Sequence, residues 1–306
     1  MLTAFNNMHT KLHSRTLALS AVLGLSSMAL WAGDSSNDDK NQYSLFNPTP
    51  SSLLRPISTG EFEDVQNPFT IDAGHFQIDA NFIESYSETQ RGTFPSGTSY
   101  DLFQQELVWS PTFRLGLCNH VDLEVEPEYE NFSQHQTGAY PAGGGGGSYV
   151  ATYSRVSFGY TDVGPRINLW GNDTGVTALA VSPYIGFPAN GGDILGGIDV
   201  PFAVRLPMDF MIKYAPGLYA TEDGRKVIHG ELANRFAVDK AFFGKLTTMA
   251  DLSLLSSSRS GQRGWGYTGF GVGYEITPNL LLYAVMRFGI GDAYDYNPYA
   301  GVAWRF

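Results

Sequence analysis

The sequence predicts an all-β protein, a transmembrane antiparallel up-and-down β-barrel of about 12 strands. Three observations lead there: an N-terminal secretory signal, apolar-polar alternation at period two from Phe69 onward, and a last strand that ends in an aromatic residue.

Residues 1–32 have the order of a cleavable signal peptide. Lys11 and Arg15 supply the positive region, and Thr16 to Leu30 form the apolar stretch. Ala32 offers a small residue before the polar Gly33-Asp34-Ser35-Ser36. The apolar stretch is shorter than the ~20 residues of a helical span, and nothing after Ala32 approaches one. Residues 33–68 are rich in Ser, Asn, Asp and Pro without a sustained period, and read as a polar, extended periplasmic leader. The barrel is expected over 69–306.

Four segments carry the alternation most clearly. Phe76, Ile78, Ala80 and Phe82 share a face opposite Gln77, Asp79 and Asn81. Phe103, Leu107, Trp109 and Phe113 oppose Gln104, Glu106, Ser110 and Arg114. Val121, Leu123, Val125 and Tyr129 alternate with Asp122, Glu124, Glu126, Glu128 and Glu130. In the last segment Val302, Trp304 and Phe306 stand against Tyr299, Gly301, Ala303 and Arg305. A half-buried soluble sheet alternates in the same way, so the connections decide. Short turns are expected at Gly116–His120, Gly171–Gly175, Pro207–Asp209 and Thr277–Asn279. Longer links are expected at Ser87–Ser99, Asn131–Ser148, Pro188–Gly196, Ser256–Gly264 and Gly291–Asn297, and the link near Ala237–Gly244 is ambiguous. Short turns on one rim and long loops on the other suit a barrel with both termini in the periplasm. Tyr86, Trp109, Tyr129, Trp170, Trp265 and Trp304 are candidates for the interfacial aromatic girdles.

Composition narrows the function. With 16% charged residues, 35 Gly and a net charge of −11, the chain has no basic stripe for phosphates, so nucleic acid is not an expected partner. Cys118 is the only cysteine, which excludes an intrachain disulfide and a cysteine metal cluster; no metal or cofactor is expected. His75, His120 and His229 sit on separate segments with no nucleophile motif beside them, so the chain reads as a non-enzyme. Gly264, Gly266 and Gly269 match a dinucleotide fingerprint but open a Gly-rich strand instead of a helix, and more naturally relieve curvature in a barrel wall. Gly143–Gly147 reads as a flexible loop tip.

The acidic ladder Asp122, Glu124, Glu126, Glu128 and Glu130 must face away from lipid, where charge is costly. Arg114, Arg155, Arg166, Arg205, Arg235 and Arg287 are its possible partners, with Arg114, Arg166 and Arg205 the leading candidates. Two readings stay open: a paired network that holds the barrel's shape, or a charge filter for permeating solutes. Trp304 and Phe306 are the candidate assembly signal, to be read by the barrel-assembly machinery.

Several segments resemble the outer-membrane transporter family named for the MetA pathway of phenol degradation. They are RPISTGEFEDVQNPFTIDAGHFQIDA at 55–80, NHVDLEVEPEYE at 119–130, INLWGNDTGVTALAVSPYIGFPAN at 167–190 and NPYAGVAWRF at 297–306. The chain departs from the family at Gly60-Glu61-Phe62-Glu63, where Asp-Arg-Pro-Asp is usual. The resemblance implies an outer-membrane barrel in contact with outer-membrane lipid, acting as a passive, porin-like transporter of small solutes, hydrophobic or aromatic ones included. A loop-displaying structural anchor and a lipid-modifying barrel enzyme are the alternative functions.

Overall fold

The computed structural model describes residues 40–59, 62, 65–93, 98–139, 148–222, 226–262 and 264–306. The signal segment expected over 1–32 and the Gly143–Gly147 loop tip lie outside these residues. Strands make up the wall: β1 (Phe76–Thr93), β2 (Ser99–Trp109), β3 (Thr112–Cys118), β4 (Val121–Ala139), β5 (Ser148–Trp170), β6 (Thr177–Pro188) and β7 (Leu195–Asp199). They continue as β8 (Phe202–Leu206), β9 (Phe210–Glu222), β10 (Ile228–Phe242), β11 (Leu246–Ser257), β12 (Trp265–Thr277), β13 (Leu280–Gly291) and β14 (Tyr296–Arg305).

Every pairing is antiparallel, and the chain closes on itself through β1 with β14 and β9 with β10. β2 and β3 both lie between β1 and β4, and β7 and β8 both lie between β6 and β9. Each pair is therefore one wall strand with an interruption, which makes the fourteen segments a closed barrel of twelve. Proline explains both breaks. Pro111 follows Trp109 and Ser110, and Pro201 sits between Asp199 and Phe202; neither can donate a ladder hydrogen bond. Closure leaves no unpaired edge, the condition for strands to cross a bilayer. No helix of the described residues is long and apolar enough to cross one.

The alternation sorts the wall as the sequence requires. Gln77, Asp79 and Asn81 are buried inside while Phe82 is exposed outside. Phe158, Leu169, Ile185, Leu218, Phe270 and Trp304 likewise stand on the outer face, a density of exposed apolar side chains suited to lipid rather than water.

Several features differ from the sequence-based expectation. The stretches Ser87–Ser99 and Asn131–Ser148, expected as loops, are mostly strand: β1, β4 and β5 run for 18, 19 and 23 residues. The upper parts of β1 and β4 are mostly polar and carry little alternation, while that of β5 keeps Val150, Tyr153 and Val156 exposed; cross-strand pairs such as Arg91 with Asp101 continue the ladder beyond the ~10 residues a bilayer needs. β9 ends at Glu222 and β10 begins at Ile228, and the ambiguous link resolves as a tight turn at 243–245. A register shift between Asn81 and Ile83 also flips the later part of β1, so Tyr86 faces the lumen instead of joining a girdle. Trp265 faces the lumen too, packed against Tyr267. Trp109 and Trp304 keep the outward position expected of them.

Among the described residues of 40–75 none belongs to a wall strand, although Ser44 makes an isolated bridge to Cys118 of β3. The described residues of 55–75 run through the lumen, and the apolar core among the described residues lies between them and the wall. Phe62 packs with Met249, Tyr283, Val285 and Tyr299, and Ile57 with Leu281 and Ala303. Val65 meets Ala215 and Ala237, and Phe69 meets Ala178 and Ala203. Alanines face inward where a larger side chain would collide with the segment.

One turn isolates the effect of close packing. Gly171 and Gly244 both hold positive φ, +77° and +69°, and either would pay roughly 1–2 kcal/mol to carry a side chain there. A Cβ on Gly171 would also sit 2.7 Å from the Ala178 Cα, whereas Gly244 has nothing within 4 Å. Gly171→Ala should therefore lower the folded fraction well below that of Gly244→Ala, read as the heat-modifiable gel species after refolding. Equal losses would show that close approach at this turn contributes nothing.

Candidate functional site

The lumen is organised around two arginines on neighbouring strands. Arg114 on β3 and Arg166 on β5 flank β4, with Asp122 directly opposite Arg166 and Glu124 opposite Arg114 in register. Arg114 Nη2 lies 2.7 Å from Asp122 Oδ2 and its Nε 2.9 Å from Glu124 Oε1. Arg166 Nη2 lies 2.9 Å from the same Glu124 oxygen. Arg114, Asp122 and Arg166 are almost fully buried. Charges so far from water are tolerable only when every one is matched, and losing one partner typically costs ~3–5 kcal/mol.

These groups also hold the inner segment. Arg114 Nη2 donates to the Phe69 carbonyl at 3.0 Å, and Asp122 Oδ2 accepts from the Ile71 amide at 2.8 Å. Arg166 donates to the Gln66 side-chain oxygen, and Asn168 to the Pro68 carbonyl at 2.8 Å. Gln77 reaches the Ser58 carbonyl at 2.8 Å, and Arg305 the Arg55 carbonyl at 2.8 Å. A segment without regular structure needs partners for its buried backbone groups, and the lumen face of the wall supplies them.

A second ionic knot ties the segment to the turn between β5 and β6. Arg55 Nε sits 2.8 Å from Asp173 Oδ1, Lys40 Nζ 2.9 Å from the same oxygen, and the Arg55 amide donates to Asp72 at 2.8 Å. Burial works against a charge on Asp173, but Arg55, Lys40 and Asn119 overcome it and hold its carboxyl down at about 2.

The predicted site residues thus separate into groups. Asp122 and Glu124 are consumed by the arginine clamp. Glu126, Glu128 and Glu130 continue up the wall and line a cavity of about 500 Å³, with Glu130 3.8 Å from Arg155. A register shift beyond Pro127 is absorbed on β5, where Gly159 leaves room for Glu128: a Cβ there would fall 2.8 Å from its carboxyl carbon. Arg205 does not meet the ladder. It lies at the turn rim, its guanidinium 4.7 Å above the Phe69 ring and donating to the Gly175 carbonyl at 2.7 Å. Arg235 and Arg287, weighed as ladder partners, pair instead with Asp199 at 3.1 Å and Asp251 at 3.0 Å. Gly269 of the false dinucleotide motif has a spatial role here, since a Cβ on it would lie 2.7 Å from Arg287 Cγ. Trp304 and Phe306 stand on the outer face, their rings 4.3 Å apart, and the Phe306 backbone pairs with Phe76 across the closing seam.

Asp162, Asp199, Ser182 and the tyrosines Tyr184 and Tyr219 were not anticipated. They line a cavity of about 430 Å³ that adjoins the first through shared walls at Tyr86, Glu126, Arg235 and Arg287. On the other side of the inner segment a third cavity of about 410 Å³ is bounded by Ile57, Phe62, Phe69, Met211 and Leu281. Among the described residues no group of three or more His, Cys, Asp or Glu is placed to hold a metal ion.

Two outcomes follow from the clamp and the knot. In a Cys118→Ser background, a cysteine at Val65, which is 1% exposed, should resist aqueous maleimide; adding Asp122→Asn should speed its labelling roughly tenfold or more as the segment loosens. Unchanged labelling would mean that the clamp does not hold the segment. Asp173 has its carboxyl depressed below the ordinary 3.8, so its stabilisation is full above that value and fades as pH falls towards 2. Cleavage by pepsin near residues 40–59 should rise over that window, and Asp173→Asn should remove the pH dependence while raising the baseline.

No family model matches the sequence, and no curated protein matches it either. The fold does have solved counterparts. An outer membrane channel from Pseudomonas putida F1 superposes with a TM-score of 0.51 at 10% identity, over 82% of this chain and 100% of that one. The toluene transporter TodX of P. putida aligns with a TM-score of 0.41 at 8% identity, over 76% of this chain and 87% of that chain. The shared fold is a closed antiparallel β-barrel.

Proposed function

We propose that the protein is a narrow passive channel of the outer membrane for small solutes, closed in this conformation by its own N-terminal segment. The observation that carries this reading is a hollow lumen interrupted by one stretch of chain. Cavities lie on both sides of residues 55–71, and that stretch is held by side-chain contacts rather than by the ladder. A twelve-stranded wall falls between the filled interior of ~8 strands and the open water channel of 16–18, so a gated path suits its girth. The resemblance to the phenol-degradation transporters adds aromatic solutes to the candidate cargo, and the apolar third cavity offers them a surface.

The location follows from the same reading. The apolar outer face meets outer-membrane lipid, and Trp304 and Phe306 supply the terminal signal for the barrel-assembly machinery. Deleting Phe306 should cut the yield of folded barrel in membranes several-fold, and an undiminished yield would count against that role.

Purified protein in planar bilayers should show small, flickering conductance with a preference for cations. Glu126→Gln with Glu128→Gln should lower the potassium-to-chloride permeability ratio by about twofold or more, measured as a reversal potential in a salt gradient, since charges lining a constriction set ion preference. A folded barrel with no conductance and no solute uptake would overturn the channel and leave an anchor that works through its loops. Hydrolysis of the host lipid would point instead to a barrel enzyme.

A further inference from the structure

We infer that the cavity of about 430 Å³ holds a subsite for a neutral, polyhydroxylated ring, a sugar or cyclic polyol, at Arg166, Ser182 and Tyr184. The inference rests on the channel reading and names its cargo class. Two unmet polar groups at one place are the first observation. The hydroxyl oxygen of Ser182 on β6 and the Nε of Arg166 on β5 are both buried without a hydrogen-bond partner. The two residues are 7% and 1% exposed, and both line this cavity. The flanking pairs Val163 with Ile185 and Ile167 with Val181 set Arg166 directly opposite Ser182 across the ladder. Partners of this kind hold their Cβ atoms ~4.5–5.5 Å apart, so one ligand reaches both. A buried donor or hydroxyl with no partner has given up its hydration for nothing, which marks a place where a polar ligand group belongs.

Charge argues against an ion at this spot. Arg166 Nη2 lies 2.9 Å from Glu124 Oε1, and its Nη1 faces the Phe69 carbonyl at 3.4 Å. On the other side of Ser182, its register partner Asp199 on β7 is paired with Arg235 at 3.1 Å. Both charged neighbours of Ser182 therefore have their counter-charges, and an ionic ligand would bring one more, buried and unmatched. A neutral ligand brings none.

The lining gives the rest of the ligand's chemistry. Arg166 Nε–H can only donate, whereas the Ser182 hydroxyl both donates and accepts, as does any hydroxyl that bridges them. Gln66, which accepts from Arg166, and Thr221, two residues beyond Tyr219, border the same cavity. A plain hydrocarbon body would take water from such groups and answer none of them. Tyr184 stands two residues from Ser182 on the same face of β6 and packs with Tyr219, ring centroids 6.1 Å apart. Aromatic side chains with a few placed polar groups are the usual lining of a small-molecule site, the rings covering the ligand's carbon faces. Hydroxyls around the edge and C–H bonds on the faces describe a sugar or cyclic polyol.

The test uses the methyl pyranosides of glucose, galactose and mannose together with myo-inositol, titrated by saturation-transfer NMR against the folded protein in a sugar-free detergent. At least one should bind with a millimolar Kd or tighter. Tetrahydropyran-2-methanol, which keeps the ring and lacks its ring hydroxyls, should bind roughly tenfold or more weakly. Glucosamine and glucuronate, ionic at neutral pH, should bind no better than the neutral sugars. Ser182→Ala should weaken binding several-fold while the barrel's heat-modifiable transition stays at or above the parent's, because alanine leaves no hydroxyl unmet. Tyr184→Leu should weaken binding as well. Binding of none of the four probes, an equal affinity for tetrahydropyran-2-methanol, or a clear preference for either ionic sugar would overturn the inference. So would full binding by Ser182→Ala, which would mean that the hydroxyl is served by water only. Sugar binding by a barrel that passes no current would retain the subsite and remove the channel, and conductance without sugar binding would do the reverse.

Discussion

The shared pairing of Arg114 and Arg166 with Asp122 and Glu124 is the contact on which the interior depends. A barrel in lipid turns its apolar side chains outward, so it has no hydrophobic core to order its inside. The polar groups that remain must satisfy one another. Here they do so in a lattice that reaches past the wall: the arginine that pairs Asp122 also donates to the Phe69 carbonyl, and Asp122 itself holds the Ile71 amide. One set of charges therefore fixes both the wall's neighbours and the path of the chain that fills it. The same low-dielectric setting that strengthens these contacts makes a partial set worse than none, which is why the clamp acts as a unit.

The barrel was legible because its strongest physical demand, an apolar lipid face, imposes period two on the sequence. Phe76 to Asn81 and Val121 to Glu126 show that demand undiluted, and the structure places both as read. Where the demand lapses, so does the signal. The upper parts of β1 and β4 are mostly polar, and stretches such as Glu88 to Gly92 or Ser133 to Gly138 look like loops although their ladder is unbroken. Bulges are hidden for a different reason. One extra residue after Asn81 changes no composition but reverses the sidedness of everything beyond it, turning Tyr86 inward.

The site divides in the same way. The acidic ladder stood out because its members lie on one strand, where spacing alone puts them on one face. Its partners come from strands far apart in the chain, and sequence offers no measure of that proximity. Arg235 finds Asp199 and Arg287 finds Asp251, each across 36 positions, while Arg205 is carried to the turn rim by β8. Asp162 and Ser182 had no pattern to announce them, since neither belongs to a run of like residues at fixed spacing in its Gly- and Pro-containing strand.

The polarity of residues 33–68 suggested a segment that could bury little, and in a globular protein that inference is sound, because an irregular chain leaves its amides and carbonyls unpaired in an apolar core. Inside a barrel the premise changes. The wall presents Gln77, Arg114, Asp122, Arg166, Asn168 and Arg305, and these bond the backbone of 55–71 where a ladder would otherwise be needed. Among the described residues, Ile57, Phe62, Val65 and Phe69 add apolar contacts against alanines, aromatics and aliphatic side chains of the wall. The holding contacts are thus mostly hydrogen bonds from buried side chains of the wall, whereas the wall itself is held by its closed ladder. Arg114, Asp122 and Arg166 therefore serve two partners at once, one another across the wall and the backbone of the chain inside it.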